Sequence, residues 1–575
     1  MKHPTGLAAP FAALLVLAAP FGSATGQTVA ENKEPIVLPG LTVTSSAELP
    51  PLETWYYARV GNFEVLSNAS ARSTRSLLVD FAKFTRALSL VWPAPLKPLA
   101  GSSLILCGRG AQFDAFPPAG TVKGDAIVPS VFLRNREQIA IVIDVESDRV
   151  AIDPANLLVD GAGSTDYEVD HYKQLYREYV RYLLSQSQAR APAWVEEGLA
   201  QIIMDIDLDD KRLIYGKIDS YRGMVSGGGG AAGADDLDPS ANADAVVGEQ
   251  PFNVVLQHRK FIPFDRFFAI TADSPEARNP LGNNLWAKQA YAFVHFCMFG
   301  ENLRYQQALT TFIGRLAREP VSEELFKECF KTDYKGMAYE LRGYLLHTKH
   351  KYQRYELQKG DQLTAKDIEL REATPAEIAL IKGDALRLGG HFDTALAAYR
   401  SGYLRGAREP ALLAGMGVTE SSLNHADRAR ELLELSAKAG VKRPSAYVEL
   451  ARLRLAAAGG AKLSAAQLGR VLTPLFEARK LPPPLPETYE LIATAWAQSA
   501  VAPKPENLAV LDEGIRAFPR DSDLLYRAAQ LYRQADALPV ATSIAKLGLR
   551  YSSDDDARVR FEELLAALPA DPAQK

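Results

Sequence analysis

Hydrophobic and polar positions follow two different periods along the first half of the chain. The run from Trp55 to Asn68 alternates apolar and polar residues around Gly61-Asn62, which predicts a strand or a β-hairpin. From Ser70 to Leu90 apolar residues recur every three or four positions, which predicts a helix. Apolar runs predict further strands at residues 103–107, 130–133 and 138–143. This order of elements predicts an α+β domain with a mostly antiparallel sheet.

The next part of the sequence is helical with one long interruption. Helical spacing over 170–187 and 194–206 predicts two helices joined by a short turn that ends at Pro192. Residues 226–247 are rich in glycine, alanine and aspartate and lack the Gly-Lys-Ser/Thr ending of a phosphate-binding loop. They predict a flexible surface insert with no nucleotide role. Helical spacing returns at 285–299 and continues to residue 345.

From Thr374 onward the pattern consists of paired, alanine-rich amphipathic helices with a fixed period. A small residue recurs every 34 positions and then at wider spacings, as Gly383, Gly417, Ala451, Ala493 and Ala529. Ala395 and Tyr399 follow Gly383 by 12 and 16 positions, and the same offsets recur after Gly417. This pattern resembles the tetratricopeptide repeat, in which small residues let two helices pack closely. We expect four to five repeats over 374–560, with an irregular array of helical hairpins as the alternative.

The N-terminus has the features of an export signal. Lys2 and His3 precede the apolar stretch 7–19, and small residues at 23–26 offer a cleavage point. We therefore expect a signal peptide over 1–26, a linker over 27–54, and a periplasmic or secreted bacterial protein. The alternative is an uncleaved, loosely anchored N-terminus, and no later apolar run approaches the length of a membrane span.

Composition excludes several classes of protein. The 575 residues carry a formal net charge of -4 and no basic block, so we expect no nucleic-acid partner. The three cysteines, Cys107, Cys297 and Cys329, form no Cys-x-x-Cys pair. This excludes a disulfide-dense scaffold and a cysteine zinc site, and leaves one disulfide as an alternative to three buried thiols.

The stretch from Tyr176 to Ile203 carries the candidate chemistry. Its downstream part reads Pro-Ala-Trp-Val-Glu-Glu-Gly-Leu-Ala from Pro192, and resembles the Pro-x-Trp-x-x-Glu-Gly-Leu-Ala segment of the peptidase MA-like gluzincin family. These are zincin-fold metallopeptidases with a His-Glu-x-x-His helix. The family's third zinc ligand corresponds to Glu197. The histidine positions are occupied by Arg177 and Arg181, and the general-base position by Glu178.

The resemblance implies a zincin-like (pseudo)peptidase domain over residues 55–350, followed by a connector over 351–373, the repeats, and a C-terminal tail over 561–575. It also implies that Trp194 and Tyr291 line a cleft.

The two arginines change the expected chemistry. Arginine stays protonated and has no lone pair to donate, so it cannot replace an imidazole ligand. We therefore expect that zinc is lost, that no metal or cofactor is bound, and that Glu178 is a vestigial base. His171 lies nearly two helical turns before Glu178, too far to share a metal with Glu197. His347 and His350 indicate at most adventitious metal binding.

The charge of the lost metal suggests a role for the arginines. Two guanidinium groups supply the two positive charges of a zinc ion, and their shape suits carboxylates. We hypothesise that Arg181, and secondarily Arg177, pairs with Glu197 and Glu178. The alternative is an amphipathic surface helix with ordinary ion pairs four residues apart.

Two functions remain after these considerations. The first is an inactive metallopeptidase homologue that binds a protein or peptide through its cleft and its repeat array, in the cell envelope. The second is a gluzincin-type hydrolase with a non-standard or absent metal site.

Overall fold

The computed structural model describes residues 53–91, 102–108, 110–119, 130–145, 149–151, 166–168, 171–185, 191–209, 211–218, 252–257, 259–272, 274–277, 282, 284–316, 319–346, 350–357, 368–552 and 555–568. The predicted signal peptide, nearly all of the predicted linker and the glycine-rich insert 226–247 lie outside these ranges. His258 and His347 also lie outside them.

A six-stranded mixed sheet organises the N-terminal half. Its strands are β1 (Tyr56–Val60), β2 (Phe63–Ser67), β3 (Ser102–Cys107), β4 (Ser130–Arg134), β5 (Ile139–Asp144) and β11 (Arg371–Glu372). They lie in the order β11-β1-β2-β3-β5-β4. The predicted hairpin is present, because Gly61 adopts the positive φ that the β1–β2 turn needs. The predicted strands at 103–107, 130–133 and 138–143 correspond to β3, β4 and β5.

The prediction of a mostly antiparallel sheet agrees with three of the five strand pairings in this sheet, and the pairings of the central strand β3 depart from it. β3 pairs in parallel with both β2 and β5, whereas the outer pairings β11–β1, β1–β2 and β5–β4 are antiparallel. The physical reason lies in the nearly continuous apolar runs of β3 and β5. Such runs are typical of parallel strands that are covered on both faces.

The helices of the N-terminal half lie on one side of this sheet. They are α1 (Ala71–Val91), α2 (His171–Ser185), α3 (Ala193–Met204), α4 (Phe252–Gln257), α5 (Phe264–Ala269), α6 (Leu285–Phe299), α7 (Gln306–Leu316), α8 (Glu323–Phe330) and α9 (Tyr334–Leu345). Two small antiparallel sheets pair β6 (Arg149–Ala151) with β7 (Asp166–Glu168), and join β8 (Asp207–Leu208), β9 (Arg212–Tyr215) and β10 (Gln353–Glu356). Over the described residues, none of the helices combines the length and apolar character needed to cross a bilayer.

The predicted connector over 351–373 is not a free linker. β10 pairs with β9, and β11 pairs with β1 at the edge of the main sheet. Both strands therefore belong to the N-terminal unit, and their pairing satisfies backbone groups that a linker would leave to solvent.

The C-terminal half is a stack of helical hairpins. Its helices are α10 (Pro375–Leu388), α11 (Phe392–Leu404), α12 (Pro410–Ser422), α13 (Ala426–Lys438), α14 (Pro444–Ala456), α15 (Ala465–Ala478), α16 (Pro486–Ala497), α17 (Pro505–Ala517), α18 (Ser522–Gln534), α19 (Leu538–Tyr551) and α20 (Asp555–Ala566). They form five hairpins and a final single helix. Thr374 caps α10, the first helix of this array, through a capping box with Glu377.

The predicted tail over 561–575 is wrong in its first part. α20 continues to Ala566, and Phe561 and Leu564 are buried. The ring of Phe561 packs where Gly548 of α19 leaves no side chain. The last helix therefore covers the apolar face of the final hairpin, as a terminal helix must in a repeat array.

The small residues with the 34-residue period lie where the two helices of a hairpin cross. A Cβ atom on Gly383 would lie 2.4 Å from the Tyr399 ring, and one on Gly417 would lie 2.7 Å from Leu433. The first helices of successive hairpins also contact one another, whereas within the array the second helices mainly contact the next first helix. The array therefore curves with its first helices on the inner face.

One face of the main sheet forms an apolar core together with the first hairpins of the repeat array. Residues of β3 and β5 alternate, so that Ile139, Ile141 and Ile143 face α1 and α2 while Ala140 and Val142 face the repeat array. The second face of the sheet packs against residues of the first two hairpins, among them Ile381 and Leu386 of α10. The sheet is thus covered on both faces, by its own helices on one and by the repeats on the other.

An acidic cluster on the array gives a pH-dependent expectation. Burial, a hydrogen bond with Asp521 and the charges of Asp521, Glu487 and Asp523 raise the pKa of Glu490 on α16 to about 7. Between pH 4.5 and 7 the folded chain holds a proton that the unfolded chain releases, so stability falls as pH rises through this window. We expect Glu490→Gln to stabilise the protein by about 1–2 kcal/mol at pH 8, where Glu490 is ionised, and by little at pH 4, where it is protonated. The gain at pH 8 is no larger because the side chain is only half-buried.

The measurement is urea unfolding of the variant and the parent protein from pH 4 to pH 8. Glu506→Gln, at an exposed position on α17, is the matched control and should change the stability at pH 8 much less than Glu490→Gln does. A pH-independent effect of Glu490→Gln would contradict the expectation.

Candidate functional site

Aromatic packing fixes the orientation of α2. Tyr176 stacks on Phe84 of α1 with ring centroids 3.7 Å apart, and Tyr179 contacts Phe63 and Phe81. These contacts hold one face of α2 against α1 and the sheet. The neighbouring face of the helix, which carries Arg177, is thereby turned toward α3.

The helix that follows, α3, is buried along almost its whole length. Every residue from Trp194 to Met204 is buried, including Glu196 and Glu197. Gly198 makes this possible, because a Cβ atom there would lie 2.5 Å from Val294 and 2.7 Å from the carbonyl oxygen of Ala290 on α6. The helix therefore carries its carboxylates into the interior, where they need cationic partners.

Arg177 supplies that partner. Its side chain is fully buried, and its Nη2 donates to Oε1 and Oε2 of Glu197 at 3.0 and 2.8 Å. Nε donates to Glu197 Oε1 at 3.3 Å, and Nη1 donates to Glu178 Oε1 at 2.8 Å. One guanidinium group thus bridges the two carboxylates, with the planar geometry that only arginine offers.

Further residues enclose this ion pair. Gln201 Nε2 donates to Glu197 Oε1 at 2.8 Å and to the carbonyl oxygen of Gly282 at 2.6 Å, and Lys288 Nζ donates to Gln201 Oε1 at 3.2 Å. Gly282 has φ +62°, and a Cβ atom there would lie 2.5 Å from Glu197 Oε1 and 2.9 Å from Arg177 Nε. The Gly282 backbone therefore lies directly on the Arg177–Glu197 pair.

Arg181 has part of the role hypothesised for it, because it pairs with Glu178 but not with Glu197. Its Nη1 lies 3.6 Å from Glu178 Oε1, and its Nη2 donates to the carbonyl oxygen of Ala277 at 3.4 Å. The structure therefore brings Arg177, Glu178, Arg181 and Glu197 together, but Arg177 and not Arg181 binds Glu197. The reason is depth, because Arg177 has no exposed surface while Arg181 lies at the edge of the cluster.

The electrostatics of Glu197 follow from these contacts. Burial by itself would raise the pKa of Glu197, but the charges of Arg177 and Arg181 and the hydrogen bond from Gln201 outweigh it. The pKa therefore lies below its ordinary value, and the carboxylate is ionised at neutral pH. An ionised carboxylate with its oxygens on two fixed donors is a poor proton acceptor, so the cluster is suited to a structural role.

The two expected cleft residues do not line a cleft. Trp194 is buried against Phe268, Phe293 and Phe312, with ring centroids 5.2 to 6.2 Å away. Tyr291 is also buried, and its hydroxyl donates to Asp205 Oδ2 at 3.2 Å. Both expectations are wrong, because α3 and α6 cross closely at Gly198 and leave no open space between them.

The histidines do not assemble at this cluster. His171 is the first residue of α2, two turns before Glu178. His295 is buried between the Tyr344 hydroxyl and the Gly216 carbonyl oxygen, each 2.8 Å from a ring nitrogen, and burial lowers its pKa to about 3. His350 lies near the same tyrosine, with Nε2 3.3 Å from its carbonyl oxygen. Within the described ranges no three His, Cys, Asp or Glu side chains converge as metal ligands.

The residues of the cluster do not fit a zinc ion. The Arg177 guanidinium fills the space between Glu178 and Glu197, and Arg181 adds a second positive charge at the edge. A divalent ion there would lie against a buried positive charge, and the two positions that the resemblance gives to histidine ligands carry arginines. This arrangement therefore does not suit a zinc ion.

Sequence reasoning missed three members of the cluster: Gln201, Lys288 and Gly282. Gln201 follows Glu197 by one helical turn, and that spacing could have indicated a neighbour on the same face. Lys288 and Gly282 lie about 80 residues or more beyond α3 along the chain, and no local pattern connects them to it.

Solved structures of other proteins are similar to about a third of this chain. Neither a protein-family model nor a curated protein matches the chain. Among solved structures it is similar to YrrB, a TPR protein with an unusual peptide-binding site, at 15% identity and a TM-score of 0.27, over 32% of this chain and 90% of YrrB. It is also similar to TTC0263, a thermophilic TPR protein in Thermus thermophilus, at 19% identity and a TM-score of 0.25, over 33% of this chain and 97% of TTC0263. The similarity to Acl4, the assembly chaperone of RpL4, has 16% identity and a TM-score of 0.26, over 34% of this chain and 84% of Acl4.

Scores of this size are too low to support an inference about function. The helical hairpins themselves, with their 34-residue spacing and small residues at the crossings, define the C-terminal half as a tetratricopeptide-like solenoid. The zincin-like character of the N-terminal half stays a prediction.

Proposed function

We propose that the protein is an exported, inactive homologue of zincin-type peptidases that binds a protein or peptide in the bacterial cell envelope. In this proposal the N-terminal half is a peptidase scaffold without zinc, and the repeat array supplies the binding surface. The proposal has no catalytic step, no metal and no cofactor. Export rests on the sequence of residues 1–26 alone.

One observation carries the proposal. The guanidinium group of Arg177 bridges Glu178 and Glu197, which are the positions that the family resemblance gives to the general base and the third zinc ligand. A positive charge is held where the resemblance puts a zinc ion, and it neutralises the same carboxylates. Burial of the whole group beneath Gly282 separates those carboxylates from any substrate.

Zinc content tests the proposal. We expect the purified protein, dialysed against zinc and then buffer, to contain no stoichiometric zinc by elemental analysis. The double variant Arg177→His/Arg181→His is expected to bind about one zinc ion per chain, because two imidazoles one turn apart would then face Glu197. The triple variant that adds Glu197→Ala should lose this zinc again, which shows that uptake depends on the cluster.

The rival function is an outcome of the same measurement. Stoichiometric zinc in the unmodified protein, lost on Glu197→Ala, would replace the proposal with a hydrolase that has a non-standard metal site. A folded double-histidine variant that takes up no zinc would refute the inherited metallopeptidase scaffold. Circular dichroism of each variant establishes that it is folded.

A further inference from the structure

Large apolar side chains that face solvent are concentrated in one short segment of the chain. Over the described residues eight such side chains are exposed, and four of them lie between residues 339 and 355. These four are Tyr339, Leu346, Tyr352 and Tyr355. Within the described ranges, the three tyrosines are also the only large aromatic side chains that are exposed. Single exposed apolar residues are ordinary, but a concentration of this kind marks an interaction surface.

Two of the four lie on one helical face together with two cations. Positions 335, 339, 342 and 346 follow one another by three or four residues along α9 and its last turn, so their side chains share a face. These positions are occupied by the exposed residues Lys335, Tyr339, Arg342 and Leu346. Tyr339 is 82% exposed and Leu346 62%. The opposite face of α9 is buried through Met337 and Leu341, so the helix presents its exposed face outward from the N-terminal half.

The surface continues past the end of α9. His350 lies beside that end, with Nε2 3.3 Å from the carbonyl oxygen of Tyr344 and ring centroids 4.8 Å apart. Lys351 and Tyr352 follow directly and are exposed. We define the α9 patch as six residues: Lys335, Tyr339, Arg342, Leu346, Lys351 and Tyr352.

The segment is basic although the chain as a whole is weakly acidic. Residues 331–354 contain six lysines and arginines and two acidic residues, a formal charge of +4, whereas the whole chain carries -4. The two acidic residues are engaged within the fold. Asp333 Oδ1 accepts from the Gly336 nitrogen at 2.7 Å, and Glu340 Oε2 accepts from the Tyr305 hydroxyl at 2.7 Å. The segment therefore presents a positive charge to solvent.

The cations of the α9 patch have no carboxylate partner. Over the part of the chain that the structure describes, no carboxylate oxygen lies within 4.0 Å of the side-chain nitrogens of Lys335, Arg342 or Lys351. Arg342 Nη2 donates instead to the carbonyl oxygen of Arg259 at 3.1 Å, and Lys351 Nζ donates to Asn302 Oδ1 at 3.1 Å. These neutral partners orient two of the cations and leave their charge for an anion outside the chain.

This combination of residues fits an anionic bilayer better than an acidic protein. Tyrosine favours the boundary between lipid headgroups and acyl chains, and leucine favours the acyl side of it. Lysine and arginine pair with lipid phosphates while their aliphatic stems lie along apolar surface. The apolar centre of the patch, from residue 339 to residue 346, spans about 10 Å of helix with a lysine beyond each end. It projects from a helix, whereas a bound peptide is usually held in a groove.

We propose that the α9 patch binds the surface of a bilayer that contains anionic phospholipids. Tyr339 and Leu346 enter the interface between headgroups and acyl chains, and the three cations of the patch contact lipid phosphates. The attachment is peripheral and reversible, because it uses one helical face and the residues beside it. This inference adds a lipid surface to the protein or peptide partner proposed above, and it does not depend on the absence of zinc.

The test is co-sedimentation with vesicles of equimolar phosphatidylglycerol and phosphatidylcholine, compared with vesicles of phosphatidylcholine alone. The chain used begins at Gln27, the expected mature N-terminus, because the apolar stretch 7–19 would itself favour vesicles. We expect binding to the anionic vesicles to be at least about tenfold tighter, since each cation near an anionic surface contributes roughly fivefold. Added salt should weaken this binding.

A charge-reversed variant tests the cations. Lys335→Glu/Lys351→Glu should weaken binding to the anionic vesicles at least about tenfold. Lys442→Glu/Lys462→Glu, at exposed positions of the repeat array, is the matched control with the same change of net charge. It should weaken binding less than about threefold, because charges beyond the Debye length are screened.

An apolar variant tests the tyrosine and the leucine. Tyr339→Ser/Leu346→Ser should also weaken binding at least about tenfold, and this loss should persist when salt is added. Val540→Ser/Val559→Ser replaces two exposed apolar residues of the repeat array and should bind as the unmodified protein does. All of the replaced side chains are exposed, and circular dichroism establishes that each variant is folded.

Three results would overturn the proposal: no binding to either kind of vesicle, equal binding to both kinds, or full binding by both patch variants. Light scattering without vesicles identifies a competing use of the patch. A dimer that dissociates on Tyr339→Ser/Leu346→Ser, with no vesicle binding, would assign the patch to a second copy of the chain. Zinc content plays no part in these measurements, so their failure and failure of the zinc test are distinguishable.

Discussion

Replacing Arg177 with alanine is expected to lower the free energy of unfolding by about 3–5 kcal/mol. The substitution leaves Glu178 and Glu197 buried without the guanidinium that bridges them. An uncompensated buried charge costs far more than the net stability of the ion pair itself, and the cavity left by a fully buried arginine adds to the loss. Urea unfolding followed by tryptophan fluorescence measures the effect.

Two further variants separate charge from packing. Arg181→Ala should cost about 1 kcal/mol or less, because Arg181 lies at the edge of the cluster and is 3.6 Å from Glu178. The neutral combination Arg177→Leu/Glu178→Gln/Glu197→Gln should recover at least about 2 kcal/mol relative to Arg177→Ala, because it removes the guanidinium and both of its carboxylate partners together and leaves neither carboxylate buried without its cation. A loss below about 1 kcal/mol for Arg177→Ala would show that the bridge does not matter for stability.

Removal of the repeats is expected to prevent the N-terminal half from folding into a soluble form. A chain that ends at Ala373 would expose the second face of the sheet, which carries Trp55, Leu66, Ile105 and Val142 among its buried residues. A contiguous apolar face of this kind promotes aggregation, and the sheet would lose half of its core. We expect this fragment to be insoluble or to bind a hydrophobic dye strongly, measured by soluble yield and dye fluorescence.

A longer fragment serves as the control. A chain that ends at Gly440 keeps α10 to α13, which supply the residues that cover the sheet. It should be more soluble and should bind less dye than the fragment ending at Ala373, although it exposes the apolar face of α12 and α13 that α14 covers in the full chain. A soluble, compact fragment ending at Ala373 would show that the two halves are independent domains joined by a linker.

The sequence predicted the positions of helices and strands better than it predicted the burial of their side chains. The β1–β2 hairpin and the helix at 285–299 were predicted within a residue or two, because a period of hydrophobicity is a local property. The family resemblance, which is also read from local sequence, made Trp194 and Tyr291 look like cleft residues. Their burial depends on how closely α3 and α6 approach at Gly198, which no local pattern records.

For the candidate site, the sequence predicted which residues come together but not which of them contact each other. The resemblance over Tyr176–Ile203 singled out four residues that the structure brings together. The ion-pair hypothesis placed Arg181 before Arg177. Helical spacing shows which face of the helix a residue lies on but not how deeply its side chain is buried. Only the packing of Tyr176 and Tyr179 against α1 sets that depth, and the contribution of Gly282 depends on a loop about 80 residues further along the chain.

The sequence by itself determined that a helix with Arg177, Glu178 and Arg181 is followed by a helix with Glu197, and that a repeat array begins at Thr374. These follow from local spacing, since a helix and a 34-residue repeat are both defined by neighbours along the chain. The tertiary structure decided that Arg177 is the bridging residue, that Gly282 encloses it, and that the array completes the core of the sheet. Each of these depends on contacts between distant segments, whose free energy comes from burial and charge pairing that no local pattern encodes.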